Sequence, residues 1–328
     1  MHDISSSPTH APTQLLIIQE YISLRDKNWF GTGGPARFYC EPQSISQFQE
    51  ALTYAHMHKL SLFMLGQGAN ILINDAGFDG LIIRPRITST VISAHTKDAV
   101  LLTVGAGAIL SDVITFCLDN NILGLEEFSG IPGTIGGSLY INIHYYEFLL
   151  SQFLHEAVII HKETGSIQTV SPSWFAFGYN QSQLQLHDYF VINATFKLKP
   201  CNDIEAAYAR GRHKEIIRHR INRYPAKGTC GSFFRNFHDH EVTLTIQNKK
   251  MIYVAYYLDK IGIKGALHHG GASVSYQHAN MLVNSGTATT HDIITVARAM
   301  QKKVYDTFNV MPHPECLLVG FDTYPLLD

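Results

Sequence analysis

The chain has no pair of cysteines at C-x-x-C spacing. Its five cysteines (Cys40, Cys117, Cys201, Cys230 and Cys316) are scattered and odd in number. That argues against a disulfide framework and offers no zinc or iron–sulfur signature. No apolar run approaches the length a bilayer demands, so no membrane insertion is expected. Basic and acidic side chains nearly balance, 25 against 27, and no long Lys/Arg block occurs. Bulk attraction to nucleic acid is therefore not expected. Met1 to Pro12 has neither a basic start nor an apolar stretch, so it does not read as a signal peptide and a reducing cytoplasm is the expected location. Histidine is plentiful, at 18 residues. Its only tight clusters, His238-Asp239-His240 and His268-His269, lack the i, i+4 spacing that sets two imidazoles on one helix face, and no metal is expected.

What is present is a folded composition, 45% hydrophobic and 16% charged over 328 residues, which excludes a disordered class and is long for one core. Short apolar runs at Ser61 to Leu65, Ile71 to Asn74 and Leu81 to Arg84 predict strands, with a helix over Ser46 to Lys59 in a β-α-β arrangement. A second block follows. Val100 to Val104 predicts a strand and Leu110 to Asn120 a helix, Glu163 to Ser166 turns a hairpin, and Phe190 to Leu198 alternates with period two. The third block is helix-rich, over Ile204 to Ile221, Met251 to Lys260, and from Thr289 or Thr290 to Phe308. The basic residues of its first helix, Arg220 among them, read as a solvated face. Cys316 to Gly320 predicts a last strand.

Glycine carries the chemical signal. Gly66, Gln67, Gly68, Ala69 and Asn70 follow a strand, where small residues let backbone N–H groups approach an anion. Gly105-Ala-Gly-Ala-Ile-Leu110 has leucine where the third glycine of G-x-G-x-x-G belongs, so a Rossmann reading is rejected. Gly130, Ile131, Pro132, Gly133, Thr134, Ile135, Gly136 and Gly137 form a stiff stretch of open backbone, hard to justify as a mere connector. Two such loops in separate β-rich blocks predict one extended ligand clasped between them.

With Asn28-Trp-Phe-Gly-Thr-Gly-Gly-Pro-Ala-Arg-Phe38 ahead of them and Cys230-Gly-Ser-Phe-Phe-Arg-Asn236 behind, these loops resemble the UDP-N-acetylenolpyruvoylglucosamine reductase (MurB) family. Gly265, Gly270 to Ala272, His278 to Asn280, Asn284 and Pro314-Glu315 extend the match across nearly the whole chain. The resemblance implies an α+β fold: a two-subdomain FAD-binding fold like that of the vanillyl-alcohol-oxidase group, plus a C-terminal α+β substrate domain. The expected bounds are 1–85, 86–203 and 204–314, with 315–328 returning to the first. It also implies FAD on the two loops, with Ile71 among its contacts, and NADPH as reductant. The implied substrate is a UDP-sugar enolpyruvyl ether, reduced in a monomer to UDP-N-acetylmuramate, a peptidoglycan precursor.

By the same resemblance Ser232 is the acid that protonates the substrate carbon and Glu315 polarises the substrate carboxylate. Asn236, Arg235 and Tyr179 bind substrate. The chain departs from the family pattern at several places. Asn180 stands where an arginine is usual, Asn142 to Tyr146 replaces a small-residue segment, His268-His269 replaces a basic residue, and Leu317 replaces an arginine. These departures leave open the family reaction with rearranged charges, an FAD-dependent oxidoreductase on another sugar nucleotide or small molecule, and a flavin-binding protein that has lost its reaction.

Overall fold

A computed structural model describes residues 15–328, so the N-terminal stretch read above as no signal peptide lies outside the described residues. The first sheet runs in the order Ile18–Ser23, Pro35–Cys40, Phe78–Ile83, Ser61–Met64. Its first pair is antiparallel and the other two are parallel. Parallel neighbours need a crossover, and helix Ile45–Met57 supplies it, as the sequence predicted. Ser44 caps that helix by accepting from Gln47 N at 3.2 Å, and Phe48, Ala51, Leu52 and Ala55 bury one stripe at helical spacing.

The second sheet is antiparallel throughout, in the order Ile167–Val170, Leu154–His161, Tyr189–Pro200, Val100–Gly105, Thr90–His95. The predicted hairpin is there, with Ile160 opposite Ile167. Val100, Leu102 and Val104 are fully buried on the inner face, where helix Leu110–Asp119 and Leu139 of helix Ile135–Tyr140 complete the core. At about 1.5–3 kcal/mol for each fully buried aliphatic side chain, this alternation alone pins the register.

The third unit places helices Val254–Lys260 and Thr290–Phe308 around the small sheet His268–His269, Ala272–Val274, Leu282–Asn284. Thr289 accepts from Asp292 N at 3.1 Å and the Asp292 carboxylate accepts from Thr289 N at 2.9 Å, a capping box that starts the long helix where the sequence predicted. Strand Leu317–Val319 then returns to pair in parallel with Ile71–Ile73.

Several strands were not read from the sequence, among them Ile18–Ser23, Pro35–Cys40 and Thr90–His95. The first and last lie at sheet edges with mostly exposed side chains, so no apolar periodicity marks them. The second glycine stretch also differs from a plain loop, because Ile135 to Gly137 form the first turn of a helix with Thr134 as its N-cap.

Candidate active site

Close contacts within the fold account for several glycines of the two loops. A Cβ on Gly68 would lie 2.6 Å from Asn28 Cα, and Gly68 has φ +67°, so only glycine fits. The Asn28 segment braces that loop from beneath. Trp29 N donates to Gly68 O at 3.0 Å, and Asn28 Nδ2 ties Leu24 O and Thr32 O at 2.7 Å each. Gln67 Oε1 reaches across to accept from Gly133 N at 2.7 Å. A Cβ on Gly66 would meet Thr134 Oγ1 at 2.6 Å. The two loops, one from each β-rich unit, are thus held face to face by a side-chain bridge and close packing.

Between them lies a cavity of about 180 Å³, walled by Gly66 to Ile71, Ala106, Gly107, Pro132 to Thr134 and Gly136 to Ser138. It shares Ala69, Asn70, Pro132, Ile141 and Ile143 with a broader cleft of about 990 Å³. Gly130 and Ile131 border the broad cleft rather than the narrow cavity. A Cβ on Gly133 would point into open space, its nearest neighbour being Ser138 Oγ at 3.6 Å. Backbone is thus exposed where a bound group has to approach closely, and the lining fits a flat, anionic dinucleotide. The glycines of Gly105-Ala-Gly107 serve the fold instead. A Cβ at either position would come within 2.2–2.3 Å of the carbonyl oxygens of Ile87 or Pro85.

The broad cleft gathers Ser232, Glu315, Asn180, Tyr179 and Asn236. Ser232 sits in an isolated bridge to Met281, and Glu315 N donates to Phe233 O at 2.8 Å, so the two residues lie on neighbouring hydrogen-bonded segments. Burial pushes the Glu315 carboxyl up to about 7, a rise that Asn180 opposes without cancelling. Asn180 Nδ2 is sealed from solvent, and the group it acts on is the Glu315 carboxyl, too loosely placed to make a well-formed hydrogen bond. Asn236 Nδ2 donates to the Tyr179 hydroxyl at 3.1 Å. That hydroxyl is raised, by burial first and by the Glu315 carboxylate second.

Arg235 is not brought to the cleft. Its guanidinium donates twice to Glu241, at 2.8 and 2.6 Å, and once to Asn236 O at 2.9 Å. That ion pair holds Glu241 down at about 2. Arg235 therefore fixes the loop that carries Asn236. His268 and His269 are exposed on their strand and do not line the cleft either.

Arg220, read from the sequence as part of a solvated face, lies against the cleft instead. Burial lowers its pKa, and no carboxylate among the described residues pairs with it. Its Nε donates to Gly130 O at 3.0 Å, and its guanidinium lies 5.0 Å from the Tyr224 ring and 5.9 Å from Tyr145. The missed signal was a stripe at 3–4 spacing. Ala206, Ala209, His213 and Ile216 lead to Arg220, so the charged residue continues a packed face. Trp29, His144, Arg223 and His278 also line the cleft, and the sequence reading gave none of them a substrate-binding role.

Two glycine-loop units closing on one cavity, with a third unit supplying polar groups to its mouth, define an FAD-binding protein of the two-subdomain kind. Residues 36–171 match the family model of the FAD binding domain. Residues 223–319 match the C-terminal domain of UDP-N-acetylenolpyruvoylglucosamine reductase. The protein of that name from Listeria monocytogenes serotype 4a (strain HCC23) is 32% identical, over 89% of this chain and 91% of its own length. The one from Trichormus variabilis is 31% identical, over 89% and 83%. The crystal structure of the reductase from Thermus caldophilus covers 93% of this chain and 100% of its own, with TM-score 0.75 at 23% identity, and shares the fold. The chain belongs to the UDP-N-acetylenolpyruvoylglucosamine reductase family.

Proposed function

We propose that this protein reduces the enolpyruvyl ether of UDP-N-acetylglucosamine to UDP-N-acetylmuramate, with FAD as cofactor and NADPH as reductant. The observation that carries this reading is the meeting of Ser232, Glu315 and Asn180 in one cleft that opens onto the glycine-walled cavity. Bound FAD would supply the two-electron chemistry; the protein must hold the double bond, stabilise negative charge and deliver a proton. Gly66 to Ile71 and Pro132 to Gly137 are the residues that would hold the cofactor, with Gly130 and Ile131 at the rim.

Reduction of the double bond leaves negative charge at the carbon next to the substrate carboxylate. Ser232, hung on the cleft wall, gives that carbon its proton. Glu315 and Asn180 take the carboxylate end. Tyr179 and Asn236, linked by their hydrogen bond, form a wall for the sugar nucleotide. The proposed division is 1–85, 86–203 and 204–314, with 315–328 completing the first unit, in a cytoplasmic monomer serving peptidoglycan synthesis. No helix among the described residues is long and apolar enough to cross a membrane. NADPH oxidation at 340 nm tests the reading. It should depend on the enolpyruvyl sugar nucleotide, and oxidation no faster with substrate than without it refutes the proposal.

A further inference from the structure

Two cysteine thiols meet beside the cleft, and the reaction derived above uses neither. Cys230 and Cys316 are each 3% exposed and belong to the core of the third unit. Cys230 nevertheless borders the broad cleft, whereas Cys316 does not. Their side chains are in hydrogen-bond contact. Each also adjoins a group of the proposed reaction: Cys230 precedes Ser232 by two residues, and Cys316 directly follows Glu315. The other cysteines lie elsewhere. Cys40 and Cys117 are buried in the cores of the first and second units, and Cys201 Sγ donates to Asn121 O at 3.2 Å.

The two segments are not held equally. Cys316 leads into the returning strand, where Leu317 N donates to Asn70 O at 3.0 Å. Phe233 and Phe234 are pinned by Asn280. Phe233 N donates to Asn280 O at 2.8 Å, Phe234 N to Asn280 Oδ1 at 3.0 Å, and Asn280 Nδ2 to Phe234 O at 2.7 Å. Between that anchor and Cys230 comes Gly231, with φ +81° and no atom within 4 Å of where a Cβ would stand. A glycine in free surroundings yields first. A pull on Cys230 is therefore taken up at Gly231 and reaches Ser232.

We propose that Cys230 and Cys316 are a disulfide-forming pair, and that closing the bond displaces Ser232 and locks the protein with its proton donor out of place. The oxidant is a hydroperoxide small enough to enter the cleft. The Cys230 sulfur, on the cleft side, attacks one peroxide oxygen as thiolate. The O–O bond breaks, one water leaves, and Cys230 becomes a sulfenic acid. The Cys316 sulfur then attacks the Cys230 sulfur, the S–O bond breaks and a second water leaves. The thiols give up two electrons and two protons, and one hydrogen peroxide takes both to become two waters. Burial pushes the Cys230 thiol well above the usual thiol range, and the Cys316 contact adds to the rise. Little thiolate is then present at neutral pH, so the pair stays open in turnover and closes under sustained oxidant. A disulfide is about 2 Å long, so closure draws the two sulfurs together by about 1–2 Å. Misplacing a catalytic group by about 1 Å costs about a hundredfold.

The effect on rate rests on the reductase reading; the bond does not, and mass spectrometry reads it separately. FAD-loaded protein is incubated with excess hydrogen peroxide, freed of it by gel filtration, then unfolded, alkylated and mapped. The expected result is loss of two hydrogens and one linked Cys230–Cys316 peptide pair, with Cys40, Cys117 and Cys201 unlinked. In stopped flow, reduction by NADPH should be unchanged. Reoxidation by UDP-N-acetylglucosamine enolpyruvate should slow by about 10–100-fold, and dithiothreitol should restore it. Cys230→Ala should keep its rate through the same treatment, and Cys316→Ala should stop at a Cys230 sulfenic acid that dimedone traps. Recovery of both thiols unoxidised, Cys230 carried on to a sulfinic acid with Cys316 unlinked, or a linked protein that reoxidises at the parent rate overturns the lock. A flavin that substrate fails to reoxidise even before peroxide overturns the reductase reading instead, and the peptide map still judges the bond.

Discussion

Replacing Glu315 by glutamine probes the buried carboxyl without any ligand. Its ordinary value is 4.5 and burial lifts it to about 7 in the folded chain. That rise corresponds to about 3 kcal/mol of folding free energy. Below about 4.5 the side chain is protonated folded and unfolded, and contributes no pH dependence. Between about 4.5 and 7 the unfolded chain releases the proton while the folded chain keeps it, so stability falls as pH rises. Above about 7 both forms are ionised and the loss is complete. Glutamine has the same shape and does not titrate. The gap between Glu315→Gln and parent, measured by urea unfolding at fixed excess FAD, should therefore be small at pH 4.5 and widen to about 3 kcal/mol by pH 8, with the variant the more stable. All other titrating groups are common to both proteins and cancel. A gap that stays constant from pH 5 to pH 8 would refute the buried, uncompensated carboxyl on which this reasoning depends.

Gly133→Leu should give a colourless protein that takes up no FAD on reconstitution, because its φ of +148° is strained for leucine and its side chain fills the cavity. Gln67→Ala removes the bridge to Gly133 N and should weaken FAD about tenfold by fluorescence titration, while thermal stability of the FAD-saturated protein changes little. Ser232→Ala should leave flavin reduction by NADPH intact and slow reoxidation by substrate by about 10²–10⁴, with Ser232→Cys keeping part of the rate; stopped-flow absorbance separates the two phases. Asn180→Arg places a cation beside Glu315, which should draw its carboxyl down and flatten the loss of stability between about pH 4.5 and 7, measured by urea unfolding as above.

Much of the framework was legible because it rests on local patterns. Period-two alternation marked Phe190 to Leu198, and a threonine N-cap at Thr289 or Thr290 marked the start of the long helix. The clustered glycines marked both loops, since few other purposes explain so much open backbone. What escaped is set by contacts distant in sequence. Edge strands such as Ile18–Ser23 owe their existence to a neighbour's hydrogen bonds rather than to their own apolar face. Arg235 looked available for substrate until Glu241, six residues away across an irregular turn, was seen to occupy it. Arg220 looked solvated because charge outweighed its place in the 206–209–213–216 stripe. Asn180 stood out in sequence as a substitution. That its amide is sealed in against the Glu315 carboxyl depends on how the 178–181 turn packs, which no local pattern encodes.

The central claim is that this chain passes reducing equivalents from NADPH through its FAD to the enolpyruvyl ether of a UDP-sugar, and one anaerobic stopped-flow experiment addresses it. The FAD-loaded protein is reduced with one equivalent of NADPH and mixed with UDP-N-acetylglucosamine enolpyruvate while flavin absorbance near 450 nm is followed. The account predicts full reoxidation with one UDP-N-acetylmuramate formed per flavin. A flavin that stays reduced in the presence of saturating substrate, in protein that binds FAD normally, would contradict it.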